Sequence, residues 1–139
     1  MLTAQQVSLF FTVAMLAVTT YFLFGSVPLL ILKHDNMMDS KFIRSFYITY
    51  FKFAIVVSTG AALSYAAATR PLMAAIASAI LTLTLVLRFK FIPQMDQIGS
   101  EIRDNNNLMA IPEFRKIHKT AITLNLAQLI TVLTSLSFI

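Results

Sequence analysis

Lys116–Ile130 reads KIHKTAITLNLAQLI and runs on through mostly apolar residues to Ile139. A histidine opens the stretch, and an asparagine and a glutamine lie inside it. A run this long and apolar dissolves in lipid, where an unpaired side-chain amide costs a few kcal/mol. On a helical wheel His118 and Asn125 fall about 20° apart, and Gln128 about 80° from His118. Ala121 lies between them and Ser135 extends the arc. The result is one polar stripe on one face, and it should look into a helical bundle rather than at lipid.

The composition supports a bilayer. Of 139 residues, 58% are hydrophobic and 12% charged, against about half and a quarter in soluble domains. The apolar residues form long blocks, and each span needs about 20 of them to cross about 30 Å of hydrocarbon. The absence of cysteine excludes disulfides, thiol catalysis and cysteine metal sites. The net charge of +5 would suggest nucleic acid in a soluble protein. Here the basic residues sit at the ends of apolar runs and set orientation instead. No nucleic-acid partner is expected. The start, MLTAQQVSLFF, has no basic residue before its long apolar run, so it reads as a retained span rather than a cleaved signal.

The chain divides into four spans in one domain, 1–139. Span one covers about 3–32, with Thr3 and Gln6 as a capping box and Gly25, Ser26 and Pro28 in its last third. Pro28 should kink or break the helix. Span two covers about 42–68, and the turn ATRP leads to Pro71 at the head of span three, about 71–92. Pro93 is expected to bend or end that span. A cytoplasmic amphipathic extension follows at about 93–104, with Met95, Ile98 and Ile102 at helical spacing. Span four covers about 112–139. Gly60 and Ser64 in span two, and Ala74 and Ser78 in span three, are small residues four apart, predicting a close contact between these spans.

Ten of the eleven Lys and Arg residues belong to the first and third loops or the span ends beside them, and only Arg70 to the opposite side. The positive-inside rule then places the basic side in the cytoplasm. The expected fold is an all-α, integral membrane, up-down four-helix bundle with both termini on the non-cytoplasmic side. A bacterial inner (plasma) membrane is the expected location.

Lys52 and Arg88 are each eighteen residues from Arg70, about 27 Å along a helix and close to the cytoplasmic interface. They either snorkel to head groups or line a cytoplasmic mouth that attracts an anion. Asn125 and Gln128 lie about 10 and 15 Å inward from His118. They could bond between helices, or line a polar cavity open to the cytoplasm. His34 and His118, the only histidines, fall at cytoplasmic helix ends. They could ligate haem or a metal, assisted for a metal by Asp35 and Glu113, although no spacing motif supports this. The six acidic residues all lie on the cytoplasmic side, which argues against a membrane-embedded carboxylate proton relay.

Four stretches carry a resemblance: FGSVPLLI at Phe24–Ile31, FYITYFKFAIV at Phe46–Val56, RFKFIPQMDQI at Arg88–Ile98, and EFRKIHKTAITLNLAQLI at Glu113–Ile130. Together they resemble the small four-span membrane proteins of domain-of-unknown-function family 4149, which include the transmembrane protein 205-like group. The resemblance implies the four-span fold. It places His118, Asn125 and Gln128 at motif positions, with Pro28, Lys52 and Pro93 as weaker matches. The family has no settled activity.

The expected function is that of a non-enzymatic membrane protein with a cytoplasm-facing polar pocket for a small molecule or lipid head group, or one that assists transport. Lys52, Arg88, His118, Asn125 and Gln128 would line the pocket. Gly25, Pro28, Gly60, Ser78 and Pro93 would be structural, with no metal site. The alternatives are a redox protein holding haem or quinone between spans one and four, and a structural subunit of a membrane complex or homo-oligomer.

Overall fold

The computed structural model describes residues 1–29, 37–105 and 107–138, without the side chains of 37–40 and Arg103. His34 and Asp35 lie outside the described residues. Four helices are present: α1 (Ala4–Leu29), α2 (Met37–Ala67), α3 (Pro71–Asp104) and α4 (Ile111–Ser135). Single 3-10 turns, Leu108–Ala110 and Leu136–Phe138, flank α4. All four helices are long and apolar enough to cross a membrane, and no strand occurs among the described residues. Consecutive helices pack side by side and α4 closes back onto α1, so the bundle is a ring of four.

The helix ends follow from local chemistry. At the start of α1 the Thr3 amide donates to Gln6 Oε1 at 2.9 Å, and the Gln6 amide donates to Thr3 Oγ1 at 3.2 Å. This reciprocal pair satisfies amides that the first helical turn leaves without partners. At the end of α2 the Thr69 amide donates to the Ala66 carbonyl and the Arg70 amide to the Tyr65 carbonyl. That is the Schellman pattern, which requires a left-handed residue, and Thr69 supplies it with φ at +56°. Pro71 then opens α3, where a missing amide hydrogen costs nothing.

Pro93 does not end α3, which the described backbone carries without a break to Asp104. The expected span and its extension are one helix. Pro93 withholds a hydrogen bond from the carbonyl four residues back. Beyond it, Met95, Ile98 and Ile102 are buried in one cluster with Ala110 and Phe114. That packing holds the distal turns in line.

α1 and α4 each turn a seven-residue seam inward. Buried α1 residues are Ser8, Thr12, Met15, Thr19, Phe22, Ser26 and Leu29. Those of α4 are Phe114, His118, Ala121, Asn125, Gln128, Val132 and Ser135. Alternating steps of four and three residues are the signature of left-handed knobs-into-holes packing. On α3 the seam runs Met73, Ala77, Ile80, Thr84, Leu87 and Phe91, then skips one place to Met95, Ile98 and Ile102. The skip straddles Pro93, and a local eleven-residue repeat of this kind relaxes the supercoil.

The bundle sets buried polar side chains within an apolar core and carries large apolar side chains on its surface. Serines, threonines, His118, Asn125 and Gln128 are buried, whereas Phe10, Phe24, Phe53, Leu63, Leu72 and Phe89 are exposed. Exposed apolar side chains on every helix suit a lipid surround rather than water.

α2 and α3 pack closely side by side as expected, but Gly60 and Ser78 do not make the contact. A Cβ placed on Gly60 would fall on the ring of Phe11, so this glycine admits α1, not α3. Gly25 likewise lies against the Phe46 ring, which a Cβ there would reach at 2.5 Å. Ser78 is exposed on the outer face of α3, with its hydroxyl bonded to the Ala74 carbonyl. α3 meets the core through Met73, Ala77 and Ile80 instead.

Candidate functional site

The stripe of α4 makes two hydrogen-bonded clusters, one around His118 and one around Asn125 and Gln128, that together reach every other helix. His118 has no exposed surface. Its Nε2 lies 3.0 Å from the Ser26 carbonyl on α1 and its Nδ1 lies 2.6 Å from the Tyr47 hydroxyl on α2. A carbonyl only accepts, so Nε2 carries the hydrogen of the neutral ring and Nδ1 accepts from Tyr47. Asn125 Nδ2 donates to the Thr19 carbonyl of α1 at 3.1 Å. Tyr50 shares its one hydrogen between Asn125 Oδ1 at 3.0 Å and Gln128 Oε1 at 3.2 Å. Gln128 Nε2 donates to Thr84 Oγ1 on α3 at 3.3 Å, and Thr84 donates to the Ile80 carbonyl at 2.7 Å.

Thr19 takes part through its backbone carbonyl; its hydroxyl is spent on the Met15 carbonyl of its own helix. The sequence reading did not single out Tyr47 and Tyr50. The signal for them was there: a tyrosine at membrane depth must find a partner for its hydroxyl, and FYITY places two of them three residues apart. Phe22 packs against both, at ring-centroid distances of 5.0 and 4.2 Å. The rings fill the space that a pocket around His118, Asn125 and Gln128 would occupy.

Lys52 and Arg88 are not brought to the stripe. Lys52 is exposed on the outer side of α2 and Arg88 is half-buried on α3. Neither makes a hydrogen bond or ion pair with a described residue. A void beside Thr12, Tyr65 and Ser135 is only about 10 Å³, room for one water at most.

His118 does not suit an iron ligand. Its acceptor nitrogen already takes a hydrogen bond and its other nitrogen is a donor, so no lone pair faces outward. Among the described residues no group of three or more His, Asp or Glu side chains could hold a metal ion.

Open space lies at the basic end of the bundle. A cleft of about 460 Å³ separates α3 from α4. Lys90 and Lys116 line it, with Gln94 and Gln97 along one wall and Glu101 and Glu113 at its far end. The one ion pair among the described residues is Arg44–Asp96 at 2.5 Å, between α2 and α3. None of the four charged cleft residues therefore has an ion-pair partner there. A second groove of about 520 Å³ adjoins it along α4, lined by Arg115, Lys116, Lys119, Thr120 and Thr123.

Lys90 lies twenty residues beyond Arg70, about 30 Å along α3 and so about one hydrocarbon thickness. The cleft thus opens where α3 would leave the hydrocarbon. No protein-family model, curated protein or solved structure matches the chain.

Proposed function

We propose that this chain is a non-enzymatic integral membrane protein that binds a phospholipid head group in the cleft between α3 and α4. The buried network is the frame that holds the cleft walls in register. One observation carries the reading: Lys90 and Lys116 face one open cleft at head-group level with no ion-pair partner among the described residues. A lysine there completes its hydrogen bonding on lipid phosphate. The adjoining groove adds Arg115 and Lys119 to the same field. The location is a bacterial plasma membrane, with the cleft on the cytoplasmic leaflet.

Lipid retained by the detergent-purified chain tests this. Phospholipid should survive extensive washing and be quantifiable by mass spectrometry. Lys90→Gln with Lys116→Gln should lower its amount severalfold while the helical circular dichroism stays unchanged. A protein that washes free of lipid, or a double variant that retains as much as the parent, would overturn the proposal.

A further inference from the structure

The cleft is not simply basic. Its cations and anions are sorted along its length, and the helix register gives the order. The Gln128–Thr84 bond sets α3 level with α4. Antiparallel helices then place Thr120 level with Ile92, Lys116 with Asp96 and Glu113 with Gly99. Measured outward from Lys90, Lys116 stands about 9 Å along the bundle, Glu113 about 13 Å and Glu101 about 16 Å. The midpoint of the two lysines is therefore about 10 Å from the midpoint of the two glutamates, with the lysines nearer the bilayer. Gln94 lies between the two lysines, and Gln97 between the lysines and the glutamates.

An ion with negative charge alone would satisfy the lysines and leave Glu101 and Glu113 repelling it. A cation alone would do the reverse. Opposite charges this close within one cleft, yet unpaired with each other among the described residues, complement a ligand that carries both. Building on the head-group reading above, we infer that the cleft recognises a zwitterion made of a phosphate diester and a primary ammonium, the phosphoethanolamine unit. Its phosphate lies between Lys90 and Lys116, and its ammonium points away from the bilayer to Glu101 and Glu113. The order matches a lipid lying in its leaflet, where the phosphate sits deeper than the amine. The phosphate level falls about 5 Å beyond Lys90, within a head-group layer of about 5–7 Å. An ammonium with three N–H donors can bridge two carboxylates, whereas a quaternary ammonium donates no hydrogen bond.

The experiment is a competition. The purified full chain is exchanged against vesicles of equal parts phosphatidylethanolamine, phosphatidylglycerol and phosphatidylcholine with identical acyl chains, and retained lipid is counted. Phosphatidylethanolamine should exceed each of the others roughly fivefold, the size of one half-exposed ion pair. Glu101→Gln with Glu113→Gln should abolish that preference and leave total retention intact. Lys90→Gln with Lys116→Gln should lower all three lipids together, and Lys90→Arg with Lys116→Arg should restore them.

Equal or greater retention of phosphatidylglycerol by the parent chain would overturn the zwitterion and leave head-group binding standing. No retention of any lipid would overturn both. Soluble glycerophosphoethanolamine, which keeps the phosphate diester, supplies the arm that separates sources. If it displaces the lipid at matched concentration, the cleft serves the free compound; if only the lipid competes, the cleft serves the bilayer.

Discussion

Tyr50 is the residue on which the buried network turns. It has one hydrogen and faces two amide oxygens, on Asn125 and Gln128. Each amide also has a fixed donor direction: Asn125 toward the Thr19 carbonyl and Gln128 toward Thr84. Removing the hydroxyl leaves two buried acceptors without a donor, which is worse than losing one hydrogen bond. Tyr50→Phe should therefore lower bundle stability by about 1–3 kcal/mol, read as a reduced unfolding midpoint in detergent. Asn125→Leu removes a single amide and should cost about 0.6–1.7 kcal/mol. In a double-mutant cycle the two costs should add to more than the double variant shows, because they share a bond. Strict additivity would mean that the Tyr50–Asn125 contact contributes nothing. The stripe of His118, Asn125 and Gln128 was legible because polar residues stand out in an apolar run. Its partners were not, because Tyr47 and Tyr50 sit among five other aromatic or β-branched neighbours in FYITYFKF and differ from the phenylalanines there by one oxygen atom each.

At the scale of the helix, span number and helix starts were readable, and the choice of interface was not. Thr3–Gln6 and Pro71 are local signals that need no tertiary context. Interfaces in lipid give no hydrophobic periodicity, since the surface is as apolar as the core. Small residues were taken as the marker, and Ser78 proved to face outward while Gly60 accommodates Phe11 of α1. The better marker was the seven-residue spacing of buried hydroxyls at Thr12, Thr19 and Ser26, with Ser8 four residues before the first. This gives a paired prediction. Gly60→Leu should destabilise the bundle by about 1–3 kcal/mol through overpacking against the Phe11 ring, and Ser78→Leu should leave the midpoint unchanged. Equal effects would mean that α3 is buried on its outer face too. The α2–α3 turn gives another. Thr69 holds a left-handed conformation that costs an L-residue about 1–2 kcal/mol and glycine almost nothing. Thr69→Gly should raise stability by up to about 1 kcal/mol, after the greater freedom of glycine in the unfolded chain is subtracted. A lower midpoint would assign the Thr69 hydroxyl, which bonds the Ala68 carbonyl, a larger role than its exposure suggests.

For the whole molecule, the helix ring fixes which charges share an end. Arg70 closes one end by donating from Nη1 to the Phe138 carbonyl at 2.9 Å, beside the start of α1. Lys41, Arg44, Lys90, Arg115, Lys116 and Lys119 belong to the opposite half. That asymmetry is the orientation signal, because basic residues near short loops are retained on the cytoplasmic side of the inserting chain. The α3–α4 cleft lies at the same basic end, so its proposed leaflet depends on that orientation. A fluorescent reporter that matures only in the cytoplasm should be bright when inserted after Asn105 and dark when fused after Ile139. A reporter active only outside the cytoplasm should give the converse pair. Moving positive charge should move the protein: Arg70 alone opposes a basic end, so adding three lysines beside it, with Lys116 and Lys119 made glutamine, should produce a mixed or inverted population. If the parent chain already gives a bright C-terminal fusion, the charge rule has been overridden by packing. The cleft would then face the outer leaflet, where its ligand would have to be sought.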